Sequence, residues 1–276
     1  MLFGESTKSQ AEAEYPELWR GLVGAWCPAI NPPGGTVLYD WSPNKNHGTL
    51  TNMDPATDWV TSGGYRALDF DGTNDRINCG TSASHEPNNI TLVSWARTSK
   101  TGNTGNGCSL IDKARTVGSA YLLSIGNRGV GGNLGRAAFE AYGGSWKIVE
   151  STASIADGAV HQVVATYDGS TAVIYTDGIG RNSSAWSISL PYTSNGALNL
   201  GRYAGNNDNY LQGQLFVARI YNRVWNARDV ALDFSLGVSG WAIPRRRRWN
   251  YATAQTAIPY WVFARKNARL IGGGVS

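Results

Sequence analysis

The sequence predicts an all-β protein built from many short antiparallel strands. The segment His161–Gly178, HQVVATYDGSTAVIYTDG, alternates apolar and polar residues in two runs around Asp168-Gly169-Ser170-Thr171. Period-two alternation marks half-buried strands, and Asp-Gly marks a tight turn that needs positive φ. Composition agrees: 34 glycines and only 16% charged residues suit many turns between strands and not a helical bundle. The 276 residues suffice for one sandwich-sized domain. Such a domain buries roughly 70–75% of its unfolded surface and needs no disulfides. Cys27, Cys79 and Cys108 are an odd number and read as buried free thiols.

The elements follow in order. Residues 1–20 are polar and contain the helix formers Ala11, Glu12, Ala13 and Glu14, which reads as an N-terminal arm ending near Pro16. Strands are expected at 22–27, 36–40, 66–70, 74–79, 90–97, 108–112, 120–125, 136–142, 146–151, 160–167, 171–176, 197–202 and 212–222. Asn226 is a good N-cap, with Asp229 at the third helical position, so a short helix is predicted over about 227–235. Residues 237–276 make a basic, aromatic C-terminal arm. Seven of the 24 basic residues fall there with no acid, leaving 17 basic residues against all 20 acidic ones in the body. A mildly acidic body with a basic tail implies an acidic partner for the tail.

Several segments carry a family resemblance. They are Leu22-Val23-Gly24-Ala25-Trp26, Asp40 to Leu50, Phe70-Asp71-Gly72, Ile90 to Trp95, the 161–178 hairpin and Gly213 to Arg223. In that order and spacing, they resemble laminin-G-like, concanavalin-A-like jelly rolls. The resemblance implies a two-sheet antiparallel jelly-roll sandwich over residues 21–236, flanked by short terminal arms at 1–20 and 237–276. Leu18 to Trp26 and His47 to Met53 are similar to laminin-G-like proteins of tailed phages and their prophages.

The resemblance also implies a calcium site at the rim of the sandwich. Hard cations need several oxygen ligands converging from loops, and Asp40, Asn44, Asp71, Asn74 and Asp75 supply them. Relatives often carry acids on the closing strand, where this chain has Phe216-Val217. Calcium is the one cofactor considered; otherwise none is expected. The glucanase triplet Glu-x-Asp-x-x-Glu is absent, and Glu140 and Glu150 are the nearest strand acids. No catalytic residue is assigned, and the protein is expected not to be an enzyme.

Among the eleven tryptophans, Trp59, Trp146 and Trp186 lie in Gly/Ser/Asp-rich surroundings and are the candidates for stacking on sugar rings. Arg245, Arg246, Arg247 and Arg248, with Trp249, Tyr260, Trp261 and Phe263, are the candidates for docking a protein partner. The N-terminus lacks a basic region followed by a long apolar one, so no signal peptide is expected. No run reaches the length of a membrane span.

The expected role is a non-catalytic structural or assembly protein on a phage virion surface, a capsid decoration or fibre component made in the host cytoplasm. Its partners would be other subunits of a large assembly, in a homo-oligomer, with surface glycans as further ligands. No membrane partner is expected, and nucleic acid is disfavoured. The alternatives are a calcium-dependent lectin-like carbohydrate-binding module and, behind it, a glycoside hydrolase or lyase.

Overall fold

The computed structural model describes residues 4–101, 107–114, 119–126, 134–192, 196–203 and 209–243. Three helices and sixteen strands lie within them. The helices are α1 (Glu5–Glu14), α2 (Pro16–Trp19) and α3 (Ala227–Leu236). The strands are β1 (Leu22–Trp26), β2 (Val37–Leu38), β3 (Gly48–Thr51), β4 (Trp59–Ser62), β5 (Tyr65–Asp71), β6 (Arg76–Asn78), β7 (Ile90–Arg97) and β8 (Cys108–Ala114). They continue with β9 (Ser119–Ile125), β10 (Arg136–Tyr142), β11 (Trp146–Ser154), β12 (Val160–Tyr167), β13 (Thr171–Thr176), β14 (Ile179–Ala185), β15 (Leu198–Leu200) and β16 (Gln212–Tyr221).

These strands form two antiparallel sheets of eight. The first runs β14-β13-β12-β7-β16-β5-β4, with β1 also paired to β16; the second runs β11-β10-β9-β8-β15-β6-β3-β2. The predicted hairpin joins β12 to β13. Asp168 Oδ1 accepts from the Ser170 and Thr171 backbone N–H groups, and Gly169 takes φ +93°, the left-handed conformation the turn demands. The predicted helix is α3, and Asn226 caps it by accepting from Asp229 N–H at 3.0 Å.

Two apolar clusters hold the layers. One lies between the sheets and includes Trp26, Leu50, Phe70, Ile77, Leu92, Leu110, Phe139, Ile174 and Trp186. The other lies on the outer face of the first sheet, where Val93, Trp95, Val164 and Val217 meet α1, α2, α3 and the segment after α3. The N-terminal residues read as an arm are helical, with Ala11, Tyr15, Leu18 and Trp19 buried in this second cluster. Val238, Trp241 and Ala242, read as the start of the C-terminal arm, are buried in it too.

The node of this outer layer is Arg219, which is completely buried. Its Nη2 donates to Asp233 Oδ1 at 2.7 Å and Oδ2 at 2.6 Å, and its Nη1 donates to the Tyr221 hydroxyl at 3.0 Å. The guanidinium lies 4.7 Å from the Trp241 ring centre and 5.6 Å from that of Trp225. Tyr221 in turn donates to the Leu18 carbonyl, and Trp19 Nε1 donates to the Trp241 carbonyl at 3.1 Å. One buried ion pair thus ties both ends of the described chain to the first sheet.

Three strands, β3, β4 and β14, escaped the sequence reading; β3 is only four residues long. β14 is polar and largely exposed at the edge of its sheet, so it has no buried face to impose alternation. β4 is a short hairpin arm turned by Gly63-Gly64. No described helix is long and apolar enough to cross a membrane.

Candidate functional site

With the first sheet covered by helices, the outer face of the second sheet is the other broad surface of the sandwich, exposed toward its two edges and buried across its middle. Its residues follow from register. Inward-facing Leu38, Leu50, Ile77, Leu198, Tyr121, Phe139 and Val149 belong to the inter-sheet cluster, so their neighbours along each strand face outward. One transverse row reads Val37, Thr49, Asn78, Asn199, Asp112, Leu122, Glu140 and Ile148, each directly opposite the next. It is a line of hydrogen-bonding side chains crossing all eight strands, broken only by Leu122 between Asp112 and Glu140 and closed by Val37 and Ile148. Asn199, Asp112 and Glu140 in its middle are buried, whereas Thr49 and Asn78 are exposed.

At one edge of this face stands an aromatic pair. Tyr142 and Trp146 are register partners on β10 and β11, with rings 5.5 Å apart edge-to-face. Both are half-buried. Ile148 and Glu150 share their face and are also partly exposed. Glu140 is buried and accepts from Ser124 Oγ at 3.2 Å. Glu140 and Glu150 therefore do share one face, as neighbouring strands permit.

The three tryptophans proposed for sugar contact separate. Trp146 sits half-buried at the edge of this face. Trp59 lies on β4 at the edge of the first sheet, half-buried, with its Nε1 donating to the Gly35 carbonyl at 2.9 Å. Trp186 corrects the expectation: it is 3% exposed, stacked on Phe139 at 5.2 Å and packed near Tyr167. Its Gly/Ser-rich neighbours in sequence gave no sign that it turns into the core.

The five oxygen donors assigned to calcium do not converge either. Asp40 is buried, and its carboxylate accepts from Ala25 N–H, Ser42 N–H, Ser42 Oγ and Asn46 N–H. Burial raises its pKa, and those hydrogen bonds pull it back. Asn44 Nδ2 donates to the Val23 carbonyl. Asp71 Oδ1 accepts from Thr73 and Asn74 N–H, and Asp75 Oδ2 accepts from Asp71 N–H. The first group lies near Ala218 on β16, through Trp26, and the second beside Gln212, so six residues put them about 20 Å apart along the strand. These residues fix turns. Among the described residues no cluster of three or more His, Cys, Asp or Glu side chains can hold a metal ion. Chelation with EDTA is therefore expected to leave the melting temperature unchanged. A tight structural ion at 100 times its Kd contributes about 2.7 kcal/mol, and a shift of several degrees that vanishes in Asp71→Ala would refute this. The docking candidates Arg245 to Arg248, Trp249, Tyr260, Trp261 and Phe263 lie outside the described residues.

Sequence reasoning missed Tyr39, His47 and Tyr142. β2 beside Tyr39 spans only two residues and His47 lies in a loop, while Tyr142 is the last residue of β10, where the alternation ends.

Comparison with known proteins follows this geometry. A family model, Laminin_G_3, described as concanavalin A-like lectin/glucanases superfamily, matches residues 71–231. Domain 4 of AbnA, a GH43 extracellular arabinanase from Geobacillus stearothermophilus solved with arabinotriose, is 16% identical with a TM-score of 0.59, covering 76% of this chain and 96% of that one. The binding domain of Paraclostridial Mosquitocidal Protein 1 is 14% identical with a TM-score of 0.59, covering 80% of this chain and 53% of that one. Trypanosoma rangeli sialidase in complex with sialic acid is 15% identical with a TM-score of 0.57, covering 83% of this chain and 38% of that one. The chain thus spans nearly all of the arabinanase domain but only about half of the toxin binding domain and less of the sialidase. At these identities the likeness is one of fold. No curated protein sequence matches the chain.

Proposed function

Because this chain belongs to the concanavalin A-like lectin/glucanases superfamily, we propose that it is a non-catalytic carbohydrate-binding module that uses the outer face of its second sheet. The carrying observation is the half-buried Tyr142–Trp146 pair at the edge of that face, with the partly exposed Glu150 on the same face of β11. Sugar recognition needs both parts. An aromatic ring covers the apolar C–H face of the sugar, and a few placed polar groups bind its hydroxyls. Neighbours of the same fold include a toxin binding domain and an arabinanase domain solved with arabinotriose, which supports the reading without specifying the sugar. Glu140 is buried against Ser124, a poor position for a general acid that must reach a glycosidic oxygen.

A printed glycan array tests this. Wild-type protein is expected to bind a defined subset of glycans. Trp146→Ala should weaken binding at the edge site at least tenfold, with an unchanged melting temperature, since Trp146 belongs to neither buried cluster. An array on which no glycan is retained, or steady hydrolysis lost in Glu150→Gln, would overturn the reading. The role on a virion, as capsid decoration or fibre, belongs to this proposal as the setting in which the module works, and mass spectrometry of purified phage particles tests it.

A further inference from the structure

The aromatic pair at β10 and β11 has a counterpart at the opposite edge of the same face. Beyond the paired residues Val37 and Thr49, the register brings Tyr39 beside His47, and their rings meet edge-to-face at 4.9 Å. Tyr39 is 39% exposed and His47 is exposed, and neither belongs to an apolar cluster. The next position across the sheet is Gly80, and no atom lies within 4 Å of where a Cβ on it would stand. Thr49 and Asn78, both exposed, border this open floor. The result is a shelf with an aromatic wall, a bare backbone floor and a polar margin.

The shelf is held rigid from beneath. Asp40, directly after Tyr39, is the buried carboxylate with four hydrogen bonds that fixes the 40–46 loop. Tyr39 N–H donates to Asn31 Oδ1 at 2.8 Å. The Asp40 N–H donates to His47 Nδ1 at 3.1 Å, which places the proton of the neutral ring on Nε2. Asn78 Oδ1 accepts from Gly80 N–H, leaving its amide NH2 as donor. The shelf therefore offers Nε2–H of His47, the Tyr39 hydroxyl, the Asn78 amide and the Thr49 hydroxyl around an aromatic wall. That is the donor set for one hydroxylated ring, and its rigidity spares the ordering cost of binding.

We propose that Tyr39, His47, Thr49 and Asn78 form a second carbohydrate-binding site, making one domain bivalent. The inference rests on the carbohydrate-binding reading. The two aromatic pairs stand at opposite ends of an eight-strand sheet, roughly 30 Å apart at the usual strand spacing. A single short oligosaccharide cannot span both, so the sites act separately, and two ligands on one surface are bound with avidity.

The test uses the same printed array with wild type, Trp146→Ala, Tyr39→Ala and Thr49→Trp. Tyr39→Ala removes the wall and Thr49→Trp fills the shelf, and both positions are exposed, so melting temperatures serve as the folding control. The expected result is that Trp146→Ala still binds some array glycans. Adding either shelf substitution to it should lower that remaining signal at least fivefold. If Trp146→Ala abolishes all binding and the shelf variants bind as wild type does, the second site is refuted and the first stands. If the wild type binds no array glycan, both fall together.

Discussion

Arg219→Ala is expected to cost about 3–5 kcal/mol of stability, the usual penalty for leaving a buried charge without its partner. The physical reason is local. Asp233 is fully buried, and Arg219 is its only cationic partner among the described residues. Gln162 Nε2 donates to Asp233 Oδ2 at 2.8 Å, but an amide cannot neutralise the carboxylate. At this chain length the loss corresponds to a fall of roughly 10 °C in Tm, read by differential scanning calorimetry. Asp233→Leu combined with Arg219→Met should recover part of it, because no uncompensated charge remains. Recovery stays incomplete, since Tyr221 and Gln162 lose partners. A single Arg219→Ala variant that melts within two degrees of wild type would show that the pair is dispensable.

His85 governs the second large effect, on acid stability. It is fully buried, its ring 5.8 Å from Trp26, and among the described residues neither ring nitrogen has a hydrogen-bond partner. Burial, reinforced by the buried Lys113 ammonium, pushes its pKa down to about 4. Lys113 itself is paired to Glu86 at 3.0 Å and donates to the Gly196 carbonyl, while the Tyr121 hydroxyl donates to the His85 carbonyl. The unfolded chain titrates this histidine near pH 6.5. Between about pH 6.5 and 4 the unfolded state binds the extra proton, so stability falls as pH falls. The full loss from this one group is roughly 3 kcal/mol, complete below pH 4. His85→Phe should flatten this limb of the Tm–pH curve without lowering stability at pH 8, because no hydrogen bond is lost. An unchanged acid limb in His85→Phe would assign the effect to other groups.

The fold was legible where burial imposes a period. The 161–178 hairpin alternates because β12 and β13 turn Val163, Ala165, Ala172 and Ile174 into the inter-sheet core, and the α3 cap is local chemistry between Asn226 and Asp229. Legibility failed where position depends on distant partners. Trp186 and Trp146 have similar sequence surroundings, yet one stacks in the core and the other lies half-buried at the edge of the second sheet's outer face. Asp40 and Asp71 both read as oxygen donors for calcium, and both are consumed by backbone N–H groups of their own turns. The boundary at residue 236 was drawn from composition, and Trp241 crosses it because its contacts are with Trp19 and Arg219, more than twenty residues away in sequence in each case. The shelf at Tyr39 was invisible for the same reason: its floor, Gly80, comes from the segment just after β6.

The meeting of Trp19 and Trp241 on the first sheet has an architectural meaning. Trp19 and Trp241 touch on the face opposite to the one that carries Tyr142, Trp146, Tyr39 and His47. A body bound at the Trp19–Trp241 contact would hold the domain by its back, with both aromatic edges turned outward, as a plug is held in a socket with its working side free. The same proximity makes the domain a natural cassette. The described sandwich can be entered near Trp19 and left near Trp241 at one point on its surface, since those two residues already share a hydrogen bond.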